Sequence, residues 1–250
     1  SEGWDRTSLA LPGRQDELVR RVAAVNDNTV VVVNAGAPVL LPWLSQVRTV
    51  LWSWFPGQEC GHALADVLFG STEPSGRLPW TLPATFADVP IPHAIPVDGV
   101  VDYRESIHIG YRGYAKNDTV PAAAFGHGMG WTDWEYLSAE TTETAHGIEL
   151  DVTVRNTGRR HGHEVVQVYA STPDSGIDRP ARWLAGFTVA QAAAGDRTTV
   201  TVRLPRRAFE IWDVTAHDWR RPPGTYTLHI GRSVVDIHIS TDVIFLSHAR

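Results

Sequence analysis

Residues 29–36 read TVVVVNAG. Four consecutive valines leave no room for polar alternation, so the run suits a strand buried on both faces, the mark of a parallel sheet. Asn34, Ala35 and Gly36 end it with turn chemistry. Upstream, Leu18, Val19, Val22, Ala23 and Val25 recur at helical spacing, which predicts a helix over 16–28 closed by Asn26-Asp27-Asn28. Downstream, PVLLPWL reads as a turn or short helix and VRTVLWSWF as a second buried strand. GQECGHALADVLFG follows as a helix ending at Gly70. Strand, helix, strand, helix in roughly 55 residues is α/β grammar. The strands at 29–34 and 48–54 are expected to lie parallel, with the helix at 58–69 packed on their sheet.

From residue 71 the chain becomes rich in proline and glycine, STEPSGRLPWTLPATFADVPIPHAIP, which suits an extended connector. From about residue 133 the grammar is all-β. Ile148, Leu150, Val152 and Val154 alternate inward, and Asn156-Thr157-Gly158 turns the chain. HEVVQVYAS, RWLAGFTVA, RTTVTVRLP, GTYTLHIGRS and VVDIHIS follow. Short alternating strands separated by turns predict a seven- or eight-stranded sandwich, of the fibronectin rather than the immunoglobulin type, because no cysteine pair can pin the sheets. The expected fold class is therefore α/β, a partial α/β sandwich with parallel strands, followed by an all-β fibronectin III-like sandwich. The expected divisions are 1–95, a connector over 96–134, and 135–250.

With 43% hydrophobic and 20% charged residues the chain has a globular composition. Its net charge of −6 is spread without blocks, so nucleic acid is not an expected partner. No apolar run approaches the roughly 20 residues a bilayer span needs, and no membrane partner is expected. Cys60 is the single cysteine. It leaves the compartment open, bacterial cytoplasmic or secreted.

The chemistry-bearing candidates thin out quickly. Cys60 sits between a strand and a helix, but a nucleophile elbow needs small residues two before and two after it, where Gln58 and His62 stand. An α/β hydrolase or amidotransferase built on Cys60 is therefore disfavoured. The eleven histidines show no HExxH or paired His/carboxylate spacing, so no metal site is expected. Gly57 and Gly61 lack the rest of a phosphate-binding loop. Tryptophans crowd the first 134 residues, at positions 4, 43, 52, 54, 80, 131 and 134. Such rings stack on sugar faces but also fill cores. At least one of Trp52 and Trp54 is expected in the core, and Trp4, beside Glu2 and Asp5, is the best candidate for a sugar contact.

Taken in order, EGWDR, VVVVNAGAPV, WFPGQECGHALADVLFG, PSGRLPWTLP, YRESIHIGYRGY and FGHGMGWTDWEY, then a β-sandwich, resemble the C-terminal part of glycoside hydrolase family 3 β-glucosidases over essentially all 250 residues. The resemblance implies a preceding TIM barrel that carries a nucleophilic Asp, an α/β sandwich that contributes the acid/base Glu, and a closing fibronectin III-like domain. Glu2 in EGWDR then matches the general acid/base, and Trp4 stands where an aromatic ring is usual, as a substrate contact. Asp5 and Arg6 would shape the loop. Tyr103, Glu105, Tyr111 and Arg112 match a motif with an interdomain role, and Phe125-Gly126-His127-Gly128 would open the sandwich. The chemistry implied needs neither cofactor nor metal. The chain is expected to be the C-terminal piece of a larger retaining enzyme, its partners the N-terminal TIM-barrel portion and a β-glycoside substrate. A carbohydrate-binding or adhesion module is the competing class. It should show a planar aromatic strip, whereas Trp183, Trp212 and Trp219 lie apart in the sequence of the last 111 residues.

Overall fold

The computed structural model describes residues 6–91, 95–172 and 176–246. The chain forms two compact units. One runs to Thr72 and resumes over Trp80–Ala124, and the other takes Glu73–Pro79 and the chain from Phe125 onward.

The first unit begins with α1 (Gln15–Ala23), which carries Asp16 and Glu17 in its first turn and Arg20 and Arg21 in its last. Both pairs complement the helix dipole. The helix stops short of residue 28 because the Asn26 side chain accepts the Asn28 N–H at 3.0 Å, and the Thr29 hydroxyl donates to the Asn26 carbonyl at 2.6 Å. That local turn replaces helical bonding. β1 (Val30–Val33) and β2 (Thr49–Trp52) pair in parallel, Val30 opposite Thr49 and Val33 opposite Trp52. The crossover between them is anchored by Trp43, which is fully buried and donates its indole N–H to Asp16 Oδ1 at 2.7 Å. α2 (Cys60–Leu68) and the short α3 (Tyr111–Lys116) complete the regular structure, and neither α1 nor α2 buries a residue.

One expectation changes here. Val33 is buried, but Val30 and Val32 are 44% and 36% exposed. Side chains alternate across a strand, so one face of β1 is covered and the other is open.

The second unit is a sandwich. One sheet runs β11 (Ile237–Phe245), β10 (Gly224–Gly231), β5 (Gly162–Ser171), β6 (Trp183–Ala192). The other runs β3 (Trp134–Thr144), β4 (Gly147–Asn156), β7 (Arg197–Pro205). A hairpin of β8 (Ile211–Asp213) and β9 (Asp218–Arg220) stands outside both sheets. Leu150, Val152 and Val154 of β4 face Val166, Val168 and Ala170 of β5 within one continuous core, and all six are fully buried. β5 is also covered on its other face, where Gln167 and Tyr169 are buried. The Gln167 amide donates to the carbonyls of Gly126 at 2.9 Å and Arg232 at 2.5 Å, and the Tyr169 hydroxyl donates to Gln167 Oε1 at 2.6 Å. Phe125-Gly126-His127-Gly128 thus opens the second unit by packing on β5.

Candidate functional site

Glu2 and Trp4 lie outside the described residues. The described end of their loop is placed. Arg6 donates to the Pro38 carbonyl at 3.2 Å, and the Leu40 N–H donates to the Leu9 carbonyl at 2.8 Å. The EGWDR segment therefore ends against the chain that leaves β1 at its carboxyl end. In open α/β sheets that edge is where ligands are bound.

The same edge carries an aromatic cluster. Trp52 donates its indole N–H to the Ala35 carbonyl at 2.8 Å, and the Ser53 N–H donates to the Val33 carbonyl at 2.9 Å. The rings of Trp54 and Trp80 lie 4.5 Å apart, and both pack on Trp52 at 5.6 and 5.9 Å. Trp54 has φ +54, a conformation a bulky residue rarely adopts and one that tends to mark functional edges. The Trp80 indole nitrogen is buried without a hydrogen-bond partner among the described residues. Trp52 and Trp54 are each half-buried, and the tryptophan sealed in the core of this unit is Trp43. The cluster offers an aromatic wall.

The remaining candidates are local. Cys60 is the half-buried first residue of α2, and the neighbouring His62 ring is paired with Glu59 at 2.9 Å. No group of three His, Cys, Asp or Glu able to hold a metal occurs among the described residues. Tyr103 is 80% exposed on a loop whose Val97 and Val100 bridge across a turn with Asp98 and Gly99 at φ +51 and +77. With Pro90, Ile91 and Ile95, this loop lines a cavity of about 680 Å³. Tyr111 and Arg112 start α3, and Arg112 donates to the Ile107 carbonyl at 3.5 Å.

Trp212 and Trp219, distant in sequence, are brought together by the β8–β9 hairpin with ring centroids 5.6 Å apart. They do not make a flat strip, because their planes meet at 68° and the Arg207 guanidinium covers Trp219 at 4.0 Å.

A charged network in the second unit has no counterpart among the sequence motifs. Glu164, fully buried, pairs with Arg77 at 3.0 Å and Arg232 at 2.9 Å. Burial, reinforced by the Glu164 carboxylate, pushes the Tyr136 phenol well above the ordinary tyrosine range. Its hydroxyl lacks a hydrogen-bond partner among the described residues. Arg77 and Glu164 are 87 positions apart, so no spacing rule could have linked them.

The sequence profile of the glycosyl hydrolase family 3 C-terminal domain matches residues 1–131, and that of the fibronectin type III-like domain matches 164–234. The chain belongs to glycosyl hydrolase family 3. A β-glucosidase of Rhizobium radiobacter is 39% identical over 97% of the chain, which spans 31% of that protein. Thermostable β-glucosidase B of Acetivibrio thermocellus is 38% identical, with 97% and 33% covered. Among solved structures, DesR, a β-glucosidase from Streptomyces venezuelae in complex with D-glucose, superposes with a TM-score of 0.92 at 40% identity, covering 98% of this chain and 32% of that one. The chain thus spans about a third of the relatives it matches and corresponds to their C-terminal part.

Proposed function

We propose that this chain supplies the acid/base-bearing α/β portion and the fibronectin III-like portion of a retaining β-glucosidase whose nucleophilic Asp sits in an N-terminal TIM barrel. The observation that carries this reading is the likeness, across nearly the whole chain, to β-glucosidases about three times its length. Two features support it. One face of β1 is left open, and the 95–105 loop exposes Ile95, Val97, Val100 and Tyr103 at 72%, 73%, 61% and 80%. Apolar exposure on that scale marks a surface built to be covered, and the barrel portion is the proposed cover.

In the proposed reaction two carboxyl groups flank the scissile bond. The barrel's Asp attacks the anomeric carbon while Glu2 gives its proton to the departing oxygen. Glu2 then takes a proton from the water that opens the glycosyl-enzyme. Trp4 and the Trp52–Trp54–Trp80 edge would supply apolar contact for a sugar ring.

The test is Glu2→Gln in an enzyme that joins this chain to its barrel. A leaving group that needs protonation should lose about 10²–10⁴-fold in rate, an activated aryl glycoside much less in its first step, and azide should restore turnover by replacing base-assisted water. A small, equal loss on both substrates would remove Glu2 from the acid/base role. The carbohydrate-module alternative is not favoured, since the single exposed tryptophan pair among the described residues is angled and half-covered.

A further inference from the structure

Residues 73–79 read as part of a connector, and they carry no helix or strand. Their contacts are those of a bound peptide. Glu73, with 7% of its side chain exposed, accepts the Trp131 N–H at 2.8 Å on one oxygen. Its other oxygen accepts the His163 N–H at 2.6 Å and lies 2.9 Å from His163 Nδ1. Four residues on, Arg77, with 9% exposed, meets the buried Glu164. Between and beyond these anchors the backbone is fixed as well. The Leu78 N–H donates to the His127 carbonyl at 2.9 Å, and the Gly126 N–H donates to the Leu78 carbonyl at 2.8 Å.

The receiving surface is shaped to this segment. A Cβ at Gly128 would overlap the Gly76 carbonyl, and one at Gly130 would overlap the Glu73 carboxylate. The two positions are free of side chains where the segment passes. Glu164 gains a second guanidinium only when Arg77 is seated, and the Trp131 and His163 amides gain their carboxylate only from Glu73. Leaving such groups unmatched in a buried place is costly.

We propose that this groove on the sandwich unit is a recognition site for an extended peptide carrying a carboxylate and a guanidinium four residues apart. Its resident ligand is the chain's own Glu73–Pro79, and the unit is complete only with it. The segment is bounded in sequence on both sides by the first unit, so the fibronectin III-like module is discontinuous, and a cut near residue 125 would take away part of it. This inference does not depend on the glycosidase reading.

The experiment uses the full 250-residue chain and amide hydrogen exchange. Glu73→Gln and Arg77→Met should each raise exchange at the Leu78 and Gly126 amides at least tenfold and leave the β4 amides unchanged. A Glu73→Ala/Arg77→Ala chain should regain protection at Gly126 when a synthetic peptide of residues 71–81 is added at millimolar concentration, and not with the same peptide altered at both anchors. The unaltered chain should ignore the peptide, because its own segment is present at a high effective concentration. Unchanged exchange in both single variants would overturn the proposal, as would equal rescue by the altered peptide. Should the double variant not fold, Glu73→Gln, which keeps size and removes only charge, decides by the same readout.

Discussion

Gly126 shows how much one missing side chain can matter. It lies at φ +83, and a Cβ there would overlap Gln167 Oε1 and press on the Tyr169 hydroxyl. Gln167 cannot retreat, since its amide nitrogen is held by two carbonyls and its oxygen by Tyr169. Gly126→Ala combines an unfavourable backbone conformation with a clash against a fixed buried network, and should cost the sandwich about 2–3 kcal/mol. Urea unfolding followed by sandwich circular dichroism checks it. A midpoint within error of the parent would mean the network yields where the geometry says it is pinned. At this scale the sequence was only partly informative. The motif containing Gly126 was visible, but its partners at 167 and 169 were not. Glu2 is an acid/base candidate through the resemblance alone, Trp4 a sugar-contact candidate from its setting as well, and both lie outside the described residues.

At the scale of elements, β10 carries a group that ties the sandwich to pH. The His229 ring sits between Ser171 of β5 at 2.8 Å and Ser240 of β11 at 3.2 Å. Burial first, and then Arg182, holds it below the usual histidine range, while Asp242 pulls the other way. The folded protein thus favours the neutral ring, and the unfolded chain takes up a proton at the ordinary value of 6.5. Stability from this group is present above that value and is lost as pH falls below it, toward the depressed folded value. Melting of the sandwich between pH 7 and pH 5 should show the fall, and His229→Asn should make it shallower, leaving the part that His127, also held low by burial, contributes. A slope unchanged by the substitution would assign the effect elsewhere. The strands themselves were legible. Strict alternation placed Ile148, Leu150, Val152 and Val154 inward, and the unbroken valine run gave a parallel strand. Two features were not legible, for different reasons. The valines imply cover on both faces of β1, whereas Val30 and Val32 are exposed among the described residues. The segment 73–79 looks like linker because its meaning lies in Glu164 and His163, some 90 positions away.

At the scale of the molecule the two units differ in how much they bury. The sandwich has one continuous core running from Trp134 to Phe245. Among the described residues of the first unit the buried large apolar side chains are Val33, Val39, Leu41, Trp43, Leu82 and Tyr114, and its two longer helices bury none. Local stability follows buried apolar contact, so the units should not unfold together. In urea the first transition should belong to the α/β unit, seen by the fluorescence of Trp43, Trp52, Trp54 and Trp80, and the second to the sandwich, seen by circular dichroism. On the proposed function, joining the barrel portion should move the first midpoint upward toward the second, because it would cover the open face of β1 and the apolar loop at 95–105, and burial of that surface adds stability in proportion to area. The sandwich transition should hardly move. One coincident transition in the 250-residue chain would show that the α/β unit is stable without further cover. Two transitions with a first midpoint unmoved by the barrel would show that the exposed valines and Tyr103 face something else.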